Sequence, residues 1–183
     1  MDPRLRGDDG LMSSHFSLTG PFTRYGFFAA VIVCLLDQVS KFYLLSVFNL
    51  AANGPVRLGP FFDLVLTRNT GISYGLFQTQ GPFGQWVLLA FKACAVLLLW
   101  IWLARARDRL TALSLGLIIG GAAGNAIDRL AYGWVADFVF FHISTPNWRF
   151  NWYVFNLADV AIVAGVIGLL YVSFVTDRAA KAP

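Results

Sequence analysis

Four apolar stretches, near residues 25–45, 86–104, 110–130 and 154–175, are each long enough to cross a lipid bilayer, which takes roughly 20 helical residues. This constrains the fold before anything else does. Inside hydrocarbon each segment must satisfy its own backbone N–H and C=O groups, so the stretches read as helices. The charged fraction of 13% agrees, being about half that of a soluble domain. The expected fold class is an α-helical integral membrane protein with four transmembrane helices. The expected organisation is an extension over 1–22, a membrane domain over 23–176 and a tail over 177–183. The extension is polar and expected to be disordered. It is not read as a cleavable signal peptide, because the first span continues past any plausible cleavage site and carries Asp37 and Lys41.

Orientation follows from Arg and Lys. Arg4, Arg6, Arg24, Arg105, Arg107, Arg109, Arg178 and Lys181 fall on one side of the membrane. Arg57, Arg68 and Arg149 fall on the other. Both termini are therefore expected in the cytoplasm, with loops 46–85 and 131–153 outside. In a bacterium with two membranes, outside means the periplasm. The net charge of +4 does not argue for nucleic acid, since the basic residues sit at helix ends and form no stripe.

The outer loops have patterns of their own. "FFDLVLTRNTG" (61–71) is strand-like up to a turn at Asn69-Thr70-Gly71, and "WVADFVFFHI" (134–143) also favours strand. "NWRFNWY" (147–153) is rich in aromatic rings, which settle at headgroup depth. A small β-rich cap, partly lying in the interface, is expected. Asp63 and His142 read as loop residues.

The polar residues of the spans fall at one depth. Asp37, Ser40 and Lys41 are in the outer half of span one. Asn125, Asp128 and Arg129 are in the last turns of span three, and Asn156 and Asp159 open span four. Asp137 follows Arg129 by eight residues in the outer loop. Asp37 and Lys41 are i, i+4 and share a helix face; Asn125/Asp128 and Asn156/Asp159 are i, i+3. Gly116, Gly120 and Gly124 recur every fourth residue, which lets a neighbouring helix approach closely. Charge at this depth is expensive and marks function. Lys92 reads most simply as a lysine snorkelling to the interface.

The available chemistry is narrow. Ser40 and Lys41 are adjacent on a helix and point about 100° apart, so they do not form a Ser-Lys pair. No Ser-His-Asp set is evident. Cys34 and Cys94 read as small buried hydrophobes, and no Cys/His cluster has metal spacing. No metal or cofactor is expected. Aspartates remain. Two that lie close cannot both ionise comfortably, so the pair offers a base and an acid together. On spacing, Asp137 and Asp159 are candidates for such a pair. Asp37 and Lys41 read as a structural ion pair, and Asp128-Arg129 as a charged helix end bracing the site. A proton relay or ion pathway is open on the same residues.

Five stretches resemble motifs of bacterial lipoprotein signal peptidase (signal peptidase II): "DQVSK" (37–41), "RNTGISYGLF" (68–77), "GGAAGNAIDRL" (120–130), "VADF" (135–138) and "FNLADVAI" (155–162). They occur in the family's order, and the resemblance covers about 25–175. It implies a membrane aspartyl endopeptidase. Such an enzyme removes signal peptides from diacylglyceryl-modified prolipoproteins, cutting just before the lipidated cysteine. It implies a catalytic pair of Asp137 and Asp159. Asn69, Asn125, Arg129 and Asn156 match positions that contact substrate or hold the site, and Asp37, Lys41 and Asp128 match supporting ones. The implied fold is four transmembrane helices with a small periplasmic β-cradle and an adjacent helical arm, in the inner membrane. The partners implied are the prolipoprotein and membrane lipid, and a monomer is expected. Ile72 and Ser73 depart from the family's usual residues, and "HISTPNWRFNWY" (142–153) separates the two acids by 22 positions.

A small transporter is the first rival, but it would place polar residues along the whole bilayer depth. A non-catalytic scaffold that binds lipoprotein precursors is the second; it would tolerate Asp→Asn at both positions. No GxGD of the presenilin type occurs in a span.

Overall fold

The computed structural model describes residues 17–71 and 82–180. Most of the expected N-terminal extension lies outside them, as do Ile72, Ser73 and the last residues of the tail. The helices are α1 (Thr23–Phe42), extended by a π-helical turn (Tyr43–Val47), α2 (Leu50–Asn53), α3 (Pro82–Ala104), α4 (Arg109–Tyr132) and α5 (Leu157–Ala180). The strands are β1 (Val56–Arg57), β2 (Phe62–Asn69), β3 (Val135–Ser144) and β4 (Arg149–Phe155). Thr23–Val47, Arg109–Tyr132 and Leu157–Thr176 are long and apolar enough to cross a membrane, and α3 is apolar over Leu89–Ala104. The protein is an integral membrane protein of α-helices with a small sheet.

α4 is the centre of the bundle. Aspartate at its N-cap starts it: the Asp108 carboxylate accepts from the Thr111 N–H at 2.8 Å and from the Thr111 hydroxyl at 2.6 Å. Those bonds hold the Asp108 pKa below its usual value. Gly133, with φ of 78°, ends it and turns the chain toward β3. Between these ends the small residues decide the packing. A β-carbon on Gly116 or Gly120 would run into the backbone of Gly26 or Ala30 of α1, and one on Gly121 into Ala158 of α5. Both neighbouring helices therefore lie close against α4, as the glycine spacing predicts.

The buried residues of α1 are Thr23, Gly26, Ala30, Asp37 and Lys41, a single stripe at helical spacing facing inward. Large apolar side chains such as Phe28, Leu35 and Val39 cover the rest of α1 and are exposed. In water such a surface would drive aggregation; in a bilayer it is the ordinary lipid-facing wall. A core of Leu103, Ala112, Leu115 and Ile119 fills the half of the bundle away from the sheet.

The sheet is antiparallel throughout, in the order β1-β2-β3-β4. It forms the expected β-rich cap, with two corrections. Span four begins at Leu157 rather than near 154, because β4 continues through Phe155. Asp63 and His142 belong to strands, not loops: Asp63 is in β2 and His142 in β3, with His142 Nε2 3.1 Å from Asp63 Oδ2. Both lie in runs of aromatic and branched residues that fit a pleated surface, where a polar residue on one face does not break the strand. Of the implied helical arm, the described residues outside the spans hold only the four-residue α2.

Candidate active site

The sheet end of the bundle gathers the polar residues singled out in spans one, three and four, together with Asn69 and Asp137. Two groups form, joined through Asn125.

The first group centres on Lys41. Its ammonium lies 2.7 Å from Asp37 Oδ2 and 2.9 Å from Asp128 Oδ2, and it donates to Asn125 Oδ1 at 3.1 Å. Asp37 and Asp128 are 0% and 1% exposed. Each is further held by a backbone N–H: Ala158 donates to Asp37 Oδ1 at 3.0 Å, and Ala136 donates to Asp128 Oδ2 at 3.0 Å. These two aspartates thus pin the start of α5 and the start of β3 to α1 and α4. Asp128 takes its ammonium from α1, while Arg129 donates to the carbonyls of Asn125 at 3.1 Å and Gly71 at 2.8 Å. Arg129 thereby ties the turn after β2 to α4. Ser40 donates to the Asp37 carbonyl at 2.7 Å, which a hydroxyl one turn along a helix is placed to do.

Gln38 went unremarked in the sequence. Its amide donates to Asp128 Oδ1 at 2.8 Å, to the Gly124 carbonyl at 3.1 Å and to Asp37 Oδ2 at 3.3 Å. Its place between Asp37 and Lys41 in a polar turn of an apolar span was the available signal.

The second group is Asp137 and Asp159. Register sets up the first: Asn69 pairs with Val135 and Thr67 with Asp137, so Asn69 and Asp137 are diagonal neighbours on one face. Asn69 Nδ2 donates to Asp137 Oδ2 at 3.0 Å. The helix start sets up the second. Asn156 Oδ1 accepts from the Asp159 N–H at 3.0 Å, and Asp159 Oδ2 accepts from the Asn156 N–H at 3.1 Å. This is a reciprocal capping box, with Asn and Asp in the usual roles of Ser and Glu. The i, i+3 spacing of these two residues thus has a local structural cause as well as any chemical one.

Asn156 also links the acids. Its Nδ2 donates to Asp137 Oδ1 at 2.6 Å and to Asn125 Oδ1 at 3.0 Å, while Asn125 Nδ2 donates to Asp159 Oδ1 at 3.0 Å. All four carboxylate oxygens of the pair therefore rest on amide N–H groups. Among the described residues no lysine or arginine lies within ion-pair distance of either acid. Asp137 is 2% exposed. Burial pushes its pKa up to about 6, against the opposing bonds from Asn69 and Asn156, and the Asp159 charge adds to the rise.

Both acids and Asn69 line a cavity of 610 Å³. Its walls run from Trp152 and Phe155 of β4 down α5 past Val160 and Val163 to Ile167. Val163 and Ile167 are also exposed on the lipid-facing side of α5.

A family model described as "Signal peptidase (SPase) II" matches residues 29–175. The chain is 62% identical over 160 residues to a lipoprotein signal peptidase of Nitrobacter hamburgensis, covering 87% of this chain and 98% of that one. It is 58% identical over 160 residues to a lipoprotein signal peptidase of Rhodopseudomonas palustris, with the same shares covered. Among solved structures, a bacterial membrane enzyme determined by the in meso method at 2.3 Å resolution superposes with a TM-score of 0.67 at 23% identity. That match covers 90% of this chain and 95% of the other.

Proposed function

Because this chain belongs to the signal peptidase II family, we propose that its Asp137 and Asp159 are the catalytic pair of a prolipoprotein-cleaving aspartic endopeptidase. The protein is a hydrolase that removes signal peptides from prolipoproteins. The cut falls just before the diacylglyceryl-modified cysteine, as in the reading from the motifs. One observation carries the assignment of the pair. Of the four aspartates at this end, these two line the cavity and have only amides in contact with their oxygens. A carboxyl group so placed can hold a proton or release it, and the pair needs one of each form.

In the mechanism the ionised carboxylate draws a proton from a water molecule. The water oxygen attacks the scissile carbonyl, whose oxygen is protonated or hydrogen-bonded by the neutral partner. The tetrahedral intermediate then collapses. The carboxyl that took the water's proton gives it to the leaving nitrogen, and the C–N bond breaks. The partner carboxylate takes a proton back from the diol oxygen that becomes the new carbonyl. Apparent pKa values belong to the pair rather than to either member. Asn69, Asn125 and Asn156 orient the acids and offer donors and acceptors to the substrate backbone. Arg129 holds the turn that borders the cavity. Asp37, Lys41 and Asp128 support the site from behind.

The membrane arrangement follows the same reading. The protein crosses the bacterial inner membrane four times, with both termini cytoplasmic and the sheet as a periplasmic cradle. Residues 23–176 form the peptidase domain, with 1–22 and 177–183 as cytoplasmic ends. It acts as a monomer. The signal helix lies in the groove along α5 and the acyl chains lie between helices, open to the bilayer. Asp159 stands in an apolar stretch because both parts of its substrate are anchored at that depth.

The test is cleavage by purified protein in lipid, using a diacylglyceryl-modified prolipoprotein and the same precursor without lipid. Only the lipidated precursor is expected to be cut. Asp137→Asn and Asp159→Asn should each lower kcat by about 10³-fold or more while remaining folded. Near-normal turnover by either variant would remove that aspartate from the chemistry. Binding of the precursor without any cleavage by the native protein would favour a scaffold.

A further inference from the structure

At the end of the bundle away from the sheet, cations from two helices meet on one aromatic ring. Arg24 of α1 holds its guanidinium carbon 5.0 Å from the centroid of the Tyr25 ring. Arg109 of α4 holds its own 5.1 Å from the same centroid. Both distances are those of a cation over an aromatic face. An Arg24 Nη2 N–H also donates to the Tyr25 hydroxyl at 3.1 Å. The ring itself is fixed, since it packs against the core of Leu103, Ala112 and Leu115. The helices beneath it are in close contact: a β-carbon on Gly26, the next residue, would run into Leu103 and the carbonyl of Ala112. Close packing thus presets the spacing of the two guanidiniums.

Two like charges on one ring repel unless an anion joins them. Among the described residues neither arginine is in an ion pair. Asp108, beside Arg109 in sequence, is engaged by the Thr111 N–H and hydroxyl at the start of its own helix. The other charges at this end do not balance the pair. The loop before α4 adds Arg105 and Arg107, and the last turn of α5 contributes Asp177 and Arg178, one of each sign. A basic helix end orients a span without binding anything. What distinguishes this one is that its arginines converge, from two helices, on a fixed ring. The wall below them is apolar. Phe28 is four residues from Arg24 and Leu113 four from Arg109, so each lies on the face of its arginine, one turn further along the helix. Both are exposed. A ligand for this place carries an anionic group at one end and apolar chains at the other.

We propose that Arg24, Tyr25 and Arg109 form a binding site for the phosphate of an anionic phospholipid, seated between the ends of α1 and α4. The forked guanidiniums take the phosphate oxygens. The Tyr25 ring keeps them in place, and the acyl chains run past Phe28 and Leu113. A free phosphate would use only the first of these contacts. Basic pockets between membrane helices suit such headgroups. Net charge decides among lipids: phosphatidylglycerol keeps its negative charge, whereas the choline of phosphatidylcholine cancels it. The site lies at the opposite end of the bundle from Asp137 and Asp159, so it stands independently of the catalytic assignment.

The experiment is lipid binding by the full chain in detergent, read by native mass spectrometry as lipid is titrated, thermal unfolding being followed alongside. The probes are phosphatidylglycerol, phosphatidylcholine with the same acyl chains, and inorganic phosphate. Native protein should bind phosphatidylglycerol about tenfold more tightly than phosphatidylcholine. Arg24→Gln/Arg109→Gln should lose that preference and bind the two lipids alike. Arg57→Gln/Arg149→Gln removes as much charge from the sheet and should keep it. Inorganic phosphate should neither displace the lipid nor raise the unfolding temperature. If Arg24→Gln/Arg109→Gln does not fold, Arg109→Gln alone takes its place with the same direction of change. Equal binding of the two lipids by native protein overturns the proposal, as does a preference that survives in Arg24→Gln/Arg109→Gln. Equal losses in the two double variants overturn it as well, by making the effect one of net charge. Displacement of the lipid by an equal concentration of inorganic phosphate overturns it by making the ligand a free anion.

Discussion

The two aspartate pairs of this protein use the same residue type at the same end of the bundle, and they are held in opposite ways. Asp37 and Asp128 share the Lys41 ammonium at 2.7 and 2.9 Å. Asp137 and Asp159 receive only amide N–H groups. An ammonium set between two buried carboxylates is a structural tie, because removing one partner strands the others. A carboxyl among neutral amides and low-dielectric walls can exchange its proton without stranding anything. What separates the first pair from the pair proposed to be catalytic is the partner, and most of those partners come from other elements.

The comparison can be broken most forcefully at Lys41. Lys41→Met leaves Asp37 and Asp128 buried with no ammonium, which should cost about 3–5 kcal/mol. Unfolding in mild detergent would measure it, and a variant as stable as the native protein would show that the ammonium is not what holds the first pair. The contrasting change is Asp137→Asn, whose effect depends on pH. Burial raises the folded pKa of Asp137 to about 6, so the folded protein binds that proton more tightly than the unfolded chain does. The stability this contributes is complete below the ordinary carboxylate range and is lost as pH rises through about 6. At pH 8 the charged group is a burden, and Asp137→Asn should then be more stable than native protein by on the order of 2 kcal/mol. At pH 4 the two should unfold together. Asp37→Asn should instead lose stability at pH 8. Equal behaviour of the two Asn variants across pH would erase the distinction between the pairs. The smallest effect is expected at Gln38. Gln38→Ala removes a neutral donor from Asp128 while Lys41 remains, and should cost about 1 kcal/mol in the same unfolding measurement without altering the pH profile of cleavage.

Much of this was open to a reader of the chain alone. Span length is a property of composition, and an i, i+3 or i, i+4 pair is local geometry. The four stretches, the glycine face of α4, the Asp37–Lys41 pair and the common depth of the polar residues could therefore all be read directly. So could the strands around 61–71 and 134–143, although Asp63 and His142, as isolated polar residues, read as loop positions and lie in β2 and β3. The resemblance of the motifs implied Asp137 and Asp159 as a catalytic pair, which is the assignment proposed above.

Tertiary structure decided who touches whom. Asp37 reaches the N–H of Ala158 across 121 positions of sequence, and Gln38 reaches Asp128 across 90. Asn69 meets Asp137 only because the register of β2 on β3 makes them diagonal neighbours. Asn156 links Asp137 to Asn125 only because the capping turn of α5 abuts both β3 and α4. Sequence determines which groups are too polar for lipid and at what depth they lie, because burial and helical spacing act along the chain. Their ionisation depends on through-space distance to a neighbouring charge, and close packing of α1 and α5 against the glycines of α4 sets that distance.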